Sequence, residues 1–177
     1  MENKFSKSIN IIRDTESNFE YIPTPNSTMV VNQIVNDYKK GVRSFNIIGT
    51  YGTGKSAFLL ALEQSLLGKK DYFKANFNSD SNFDFLKIIG SSNSIINTFS
   101  DFLDIKKSDN KQEEVLSELF NRYHNFKKPN KILFILVDEF GKFLEYASKN
   151  DPDKELYFIQ QLAEFCRSEE HTSELQS

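Results

Sequence analysis

The chain is read first as a pattern of apolar and polar positions. Val31, Ile34, Val35 and Tyr38 recur at helical spacing. They predict a helix to about Lys40, with Asn26 or Ser27 as its cap and Gly41 as its stop. The segment 43–48 (RSFNII) reads as a short buried strand. A glycine-rich loop follows, and from Lys55 an apolar helix runs to about Leu67, ended by Gly68. Residues 85–89 read as a strand bounded by Gly90, and Ile95, Ile96, Phe99, Phe102 and Leu103 suit a helix. After a polar loop at 106–110, residues 111–126 form an amphipathic pattern that turns Val115, Leu116, Leu119, Phe120 and Tyr123 inward. The continuous apolar run at 131–137 predicts a strand covered on both faces. Two more helices are expected, at 139–148 and 153–166, with Asp151 and Pro152 starting the second. Residues 1–25 show no clear period and read as an extended or loosely held lead-in.

Strands alternating with helices predict an α/β layered domain with a parallel sheet. The length, 177 residues, is that of one domain. With 27% charged residues, 38% hydrophobic residues and a net charge of -3, nothing requires a nucleic acid or a membrane as partner. Nucleic acid stays open, and the Lys127, Lys128 and Lys131 cluster reads as a solvated loop. The one cysteine, Cys166, excludes a disulfide within the chain, and a reducing cytoplasmic setting is expected. The N-terminus, MENKFSKSIN, has no signal-peptide pattern. His124 lies on an amphipathic helix with no cysteine or second histidine near it, so packing is its expected role.

Residues 167–177 (RSEEHTSELQS) resemble the translation of a common sequencing adapter, codon by codon and in order. The expectation is that this segment, including His171, is not native, that the natural chain continues past Cys166, and that the domain spans 26–166.

Two segments carry chemistry. Gly49, Thr50, Tyr51, Gly52, Thr53, Gly54, Lys55 and Ser56 satisfy G-x-x-x-x-G-K-[ST] in full. Glycines let the backbone turn its N–H groups toward phosphates, and the following helix aims its N-terminus at the same anion. Lys55 supplies a mobile cation to the β- and γ-phosphates, and the Ser56 hydroxyl a Mg²⁺ ligand. The second segment is the apolar run ending in Asp138 and Glu139. In open α/β sheets ligands gather at the carboxyl ends of strands, so Asp138 is expected to hold Mg²⁺ and Glu139 to activate water. The plain alternative is that both acids only favour the next helix's N-terminus.

Together GTYGTGKS and ILFILVDEF resemble the Walker A and Walker B motifs of AAA+ and related signalling ATPases. The stretch DEFGKFLEYASKNDPDKELYFIQQLAEF is similar to large bacterial AAA-type ATP-binding proteins, some of them defence-associated. The resemblance spans about 21–166 and implies a three-layer P-loop core, ATP with Mg²⁺, hydrolysis with Glu139 as base, and adenine near Ile22, Pro23 and Thr24. In that family a sensor strand lies between the phosphate-loop strand and the acidic-pair strand, and no such strand follows Cys166. The expectation is therefore a core truncated before the sensor strand, poorly stable and weak as a hydrolase. A homo-oligomer of the intact protein is a further open expectation. A nucleotide-gated switch with little turnover is the alternative. A GTPase is disfavoured: Asp138-Glu-Phe-Gly141 fits D-x-x-G, but Ser148-Lys-Asn-Asp151 fails the guanine motif.

Overall fold

In a computed structural model the chain is described over residues 9–168, apart from 79, 107–109 and 127. Parts of the 106–110 loop, Lys127, and residues 169–177 with His171 therefore lie outside the described residues. The order of elements is α1 (Pro25–Lys39), α2 (Lys55–Leu66), β1 (Asn82–Ile89), α3 (Ile95–Phe102), α4 (Lys111–Asn125), β2 (Lys131–Asp138), α5 (Phe140–Lys149) and α6 (Pro152–Ser168). The fold is α/β, with helices around a two-stranded parallel sheet among the described residues.

β1 and β2 pair in register from Asn82 opposite Lys131 to Ile89 opposite Asp138. Side chains alternate across a strand, so Ile132, Phe134, Leu136 and Asp138 share one face, and Leu133, Ile135 and Val137 the other. The two faces pack on separate apolar clusters. Ile132, with Phe83 and Phe134, packs with Val31, Ile34 and Val35 of α1 and Phe58, Ala61 and Leu62 of α2. Leu86 and Ile88, with Leu133, Ile135 and Val137, pack with Phe99 of α3, Val115 and Leu119 of α4, Phe143 of α5 and Phe158 of α6. The continuous apolar run of β2 is thus explained by burial on both sides. Phe85 and Phe134, opposite each other, stack at 5.3 Å between ring centroids, the kind of cross-strand aromatic pair that steadies a sheet.

Several details depart from the sequence reading. The cap of α1 is Thr24, not Asn26 or Ser27. Its hydroxyl accepts from Ser27 N at 3.1 Å while Ser27 Oγ accepts from Thr24 N at 2.9 Å, with Pro25 in the first turn. The lead-in is not loose where it is described. Ile11 is fully buried, and the Tyr72 hydroxyl donates to the Phe19 carbonyl. Phe120 faces solvent and stacks on His124. Strand β1 begins at Asn82, three residues earlier than read, and α6 runs on to Ser168.

The largest correction concerns 43–48. This segment is in no strand among the described residues, and Phe45 and Ile48 are exposed. A strand exists only through a ladder, and the ladder of this sheet joins β1 to β2 alone among the described residues. Ile47 still packs on the α1–α2 cluster.

A buried ion pair ties the sheet to α2. Lys87 Nζ of β1 lies 2.9 Å from Glu63 Oε1 of α2, with both side chains largely buried. Lys87→Met is expected to cost about 3–5 kcal/mol, because it strands a buried carboxylate, and Lys87→Met with Glu63→Leu to recover most of that loss. Urea unfolding of both variants checks this; an unchanged midpoint in the single variant would remove the pair from any structural role.

Candidate functional site

The site is built at the start of α2 and at the end of β2. The loop 49–54 enters α2 through Gly52 at φ 79° and Gly54 at φ 81°. Both are left-handed conformations that a side chain would strain. Gly54 is the N-cap of α2 and makes no side-chain capping bond. The first N–H groups of a helix have no partner within it, and here the cap residue brings no side chain to supply one. Gly49 is held by proximity: a Cβ there would meet Thr53 Oγ1 at 2.9 Å.

Lys55 and Thr53 close the loop on itself. Lys55 Nζ donates to the carbonyls of Gly49 at 2.7 Å and Thr50 at 2.9 Å, and Thr53 Oγ1 donates to the same Thr50 carbonyl at 2.8 Å. Ser56 occupies the first turn of α2 and is half-buried. Tyr51, at the tip, is almost fully exposed.

Asp138 ends β2 and is buried, with a relative exposure of 7%. Its Oδ1 accepts from Glu139 N at 2.9 Å. By strand alternation it lies on the face that packs against α1 and α2, the same face that carries Lys87 to Glu63. Glu139 is not the first residue of a helix but the left-handed residue before α5, at φ 53°. A non-glycine residue in this region is uncommon and costs energy. Its carboxylate is exposed and paired with Lys142, three residues on. That hydrogen bond, ahead of the Coulombic pull of the same carboxylate, raises the Lys142 pKa above the ordinary lysine value.

Gly90 was legible only as a strand boundary. Its N–H donates to the Asp138 carbonyl at 2.8 Å, and a Cβ on it would lie 2.2 Å from the Glu139 carbonyl oxygen. It is a site residue by close approach. Lys142 was also missed, although its i,i+3 spacing from Glu139 was present in the sequence.

The loop 49–54 leads into α2, which packs on the face of the sheet that carries Asp138, but the loop and the acidic pair are not bonded to each other. Among the described residues no hydrogen bond or ion pair joins Asp138 or Glu139 to 49–56. Ile22, Pro23 and Thr24 lie at the entry to α1, with Ile22 exposed and Thr24 used as the cap.

A cavity of about 400 Å³ lies elsewhere, between the starts of α3, α4 and α6. Its buried carboxylate, Glu155, already accepts from Ile95 N at 3.0 Å and so serves α3. Among the described residues no cluster of three or more His, Cys, Asp or Glu is placed to hold a metal. Nor is any helix there long and apolar enough to cross a membrane. No family model, curated protein or solved structure matches this chain.

Gly90→Ala is expected to destabilise the protein by about 1–3 kcal/mol, since the added methyl meets backbone and not a movable side chain. Thermal and urea unfolding measure it; a neutral result would mean that the turn into Glu139 shifts freely.

Proposed function

We propose that the protein binds ATP with Mg²⁺ at 49–56 and that, in the intact protein, it hydrolyses ATP to drive a conformational change. The observation that carries the reading is the uncapped start of α2 behind a loop whose glycines adopt left-handed angles. Such a helix start is a ready anion site. The fold finding that supports it is a parallel sheet with apolar clusters on both faces. We read this as part of a three-layer P-loop core of the AAA+ or signalling-ATPase type.

The residues present fit the group. Lys55 already holds two loop carbonyls through its ammonium and exchanges them for phosphate oxygens. Ser56 Oγ and the Asp138 carboxylate would hold Mg²⁺, directly or through its water shell. The metal supplies charge neutralisation at the phosphates. Glu139 accepts the proton of the attacking water at its carboxylate. Tyr51 and Thr53 shape the loop, and Thr50 offers the carbonyl on which both Lys55 and Thr53 rest. We place the protein in the cytoplasm on its single cysteine.

One observation favours a second reading, a nucleotide-gated switch with little turnover: Glu139, the base, is occupied by Lys142. GTP in place of ATP is a third outcome of the same titration.

The test is equilibrium binding of ATP, ADP and GTP with and without Mg²⁺, followed by phosphate release. Lys55→Ala is expected to weaken ATP by about 10- to 100-fold, the worth of charge-assisted hydrogen bonds of about 1.5–3 kcal/mol. Asp138→Asn is expected to abolish the Mg²⁺ dependence. Glu139→Gln keeps binding and removes turnover if the protein is a hydrolase; a switch keeps its nucleotide response unchanged. Equal ATP affinity in wild type and Lys55→Ala sinks the phosphate-site reading.

A further inference from the structure

The two edges of the sheet are finished differently. At the ends of the ladder Asn82 N donates to Asn130 O at 3.0 Å and Gly90 N to Asp138 O at 2.8 Å. Both backbone groups of a strand residue point to one side, and successive residues point to opposite sides. The even-numbered residues of β1 and β2 therefore bond across the ladder, and the odd-numbered ones turn their backbone groups outward. On β1 that outer edge is blunted. Phe85 N donates to Asp84 Oδ1 at 2.9 Å, and the Phe85 carbonyl accepts from Arg122 Nη2 at 3.4 Å. On β2 the outward residues are Lys131, Leu133, Ile135 and Val137. Among the described residues no hydrogen bond meets the backbone N–H or C=O groups of Leu133, Ile135 or Val137. These residues stay half-buried although helices pack on both faces of the strand. An apolar strand edge with no proline, charge or bulge along its middle is a template for another strand.

We infer that this edge of β2 is an interface between two copies of the chain, joined by antiparallel pairing of β2 with β2 into one continuous sheet. Two observations select a second copy as the occupant. The first is cover. A lone extended peptide laid on this edge leaves both its faces open to water, whereas a second copy brings helices already packed on both faces of its own β2. The segment 43–48 of the same chain does not fit either, since one of its faces carries Ser44 and Asn46. The second is charge. β2 starts at Lys131, and Glu139 follows its end. Antiparallel pairing sets start beside end. Centred on Ile135, it places Leu133 opposite Val137 of the second copy, and Lys131 opposite Glu139 of the second copy. Outward residues of the strand then meet outward residues, so the unmet backbone groups satisfy one another. The two-fold axis closes the contact at a dimer, because the blunted edge of β1 offers no further strand site. The pairing does not depend on a nucleotide.

The experiment is sedimentation equilibrium of the full chain over a range of concentrations, with amide hydrogen exchange read residue by residue. A monomer–dimer equilibrium is expected. As dimer forms, the amides of Leu133, Ile135 and Val137 are expected to gain about tenfold or more in protection, while that of Phe134, bonded to β1 in either state, changes less. Ile135→Pro removes an outward N–H and no bond of the ladder to β1, and is expected to abolish the dimer. Lys131→Glu sets like charges at both ends of the pairing, and is expected to weaken the dimer by about tenfold. Circular dichroism and the protection of Phe134 verify the fold of each variant. Should the proline variant not fold, the wild-type exchange pattern and Lys131→Glu decide. A monomer at every concentration overturns the inference. So does a dimer whose Leu133, Ile135 and Val137 amides exchange as in the monomer, which places the contact elsewhere. Growth past a dimer overturns it as well, because it denies the closed two-fold pairing.

Discussion

The parallel ladder between β1 and β2 is the constraint from which the rest follows. A parallel pair cannot be joined by a hairpin, so the chain must cross over between the strands, and α3 and α4 make that crossover here. Because the register is unbroken from Asn82 to Ile89, side-chain alternation divides the molecule. One face collects α1 and α2 around Ile132, and the other collects α3 to α6 around Leu86 and Ile88. The same alternation fixes where Asp138 points. A one-residue slip would carry Asp138 into the cluster of Phe143 and Phe158, where an unpaired carboxylate costs several kcal/mol. The position of the acidic pair is therefore a consequence of packing the strand before it.

Where the ladder ends, the backbone has little freedom. Gly90 bonds to the Asp138 carbonyl and lies against the Glu139 carbonyl. Glu139 takes a left-handed turn there, and α5 starts at once. Strain at Glu139, contact at Gly90 and burial of Asp138 describe one tight corner. In the loop before α2, Lys55, Gly49 and Thr50 make a self-contained charge arrangement in which an ammonium rests on carbonyl dipoles. Such an arrangement satisfies the ammonium within the loop, by charge-assisted hydrogen bonds to two carbonyls.

The helices and the second strand were legible because their patterns are long and their burial is on fixed sides. The run at 131–137 could only be a two-sided strand, and Val115 and Leu119 mark the inner stripe of α4. What escaped were features set by tertiary contact. Phe120 follows the α4 stripe by one position and fits it by hydrophobicity, yet it stacks on His124 outside. Thr24 was passed over as a cap because the apolar period starts later, although Pro25 already marks a first turn. Gly90 carries no motif, since its need for a bare Cα arises from the Glu139 carbonyl 49 positions away. The glycine-rich loop and Asp138–Glu139 were legible as motifs; the Lys142 partner of Glu139 was visible as a spacing and meaningless without the pairing.

The segment 43–48 shows how local pattern and ladder can disagree. RSFNII has the apolar run of a strand, but a run specifies a strand only where another backbone meets its N–H and C=O groups. Here Ile47 packs on the α1–α2 cluster and Arg43 lies over the Tyr38 ring, while Phe45 and Ile48 stay exposed. The glycine-rich loop is consequently held from its far side by α2, and from its near side by Ile47 and by Arg43, which donates to the Tyr38 carbonyl and lies over the Tyr38 ring. A loop anchored at both ends presents its N–H groups already ordered, whereas a loop anchored at one end must be ordered by the anion itself, at a cost in affinity. Within this loop the Thr53 hydroxyl, bonded to the Thr50 carbonyl, supplies an internal anchor of the kind that lowers such a cost. Order in this loop depends on side chains within it and less on the sheet, which makes Thr53 as much a part of its architecture as the glycines beside it.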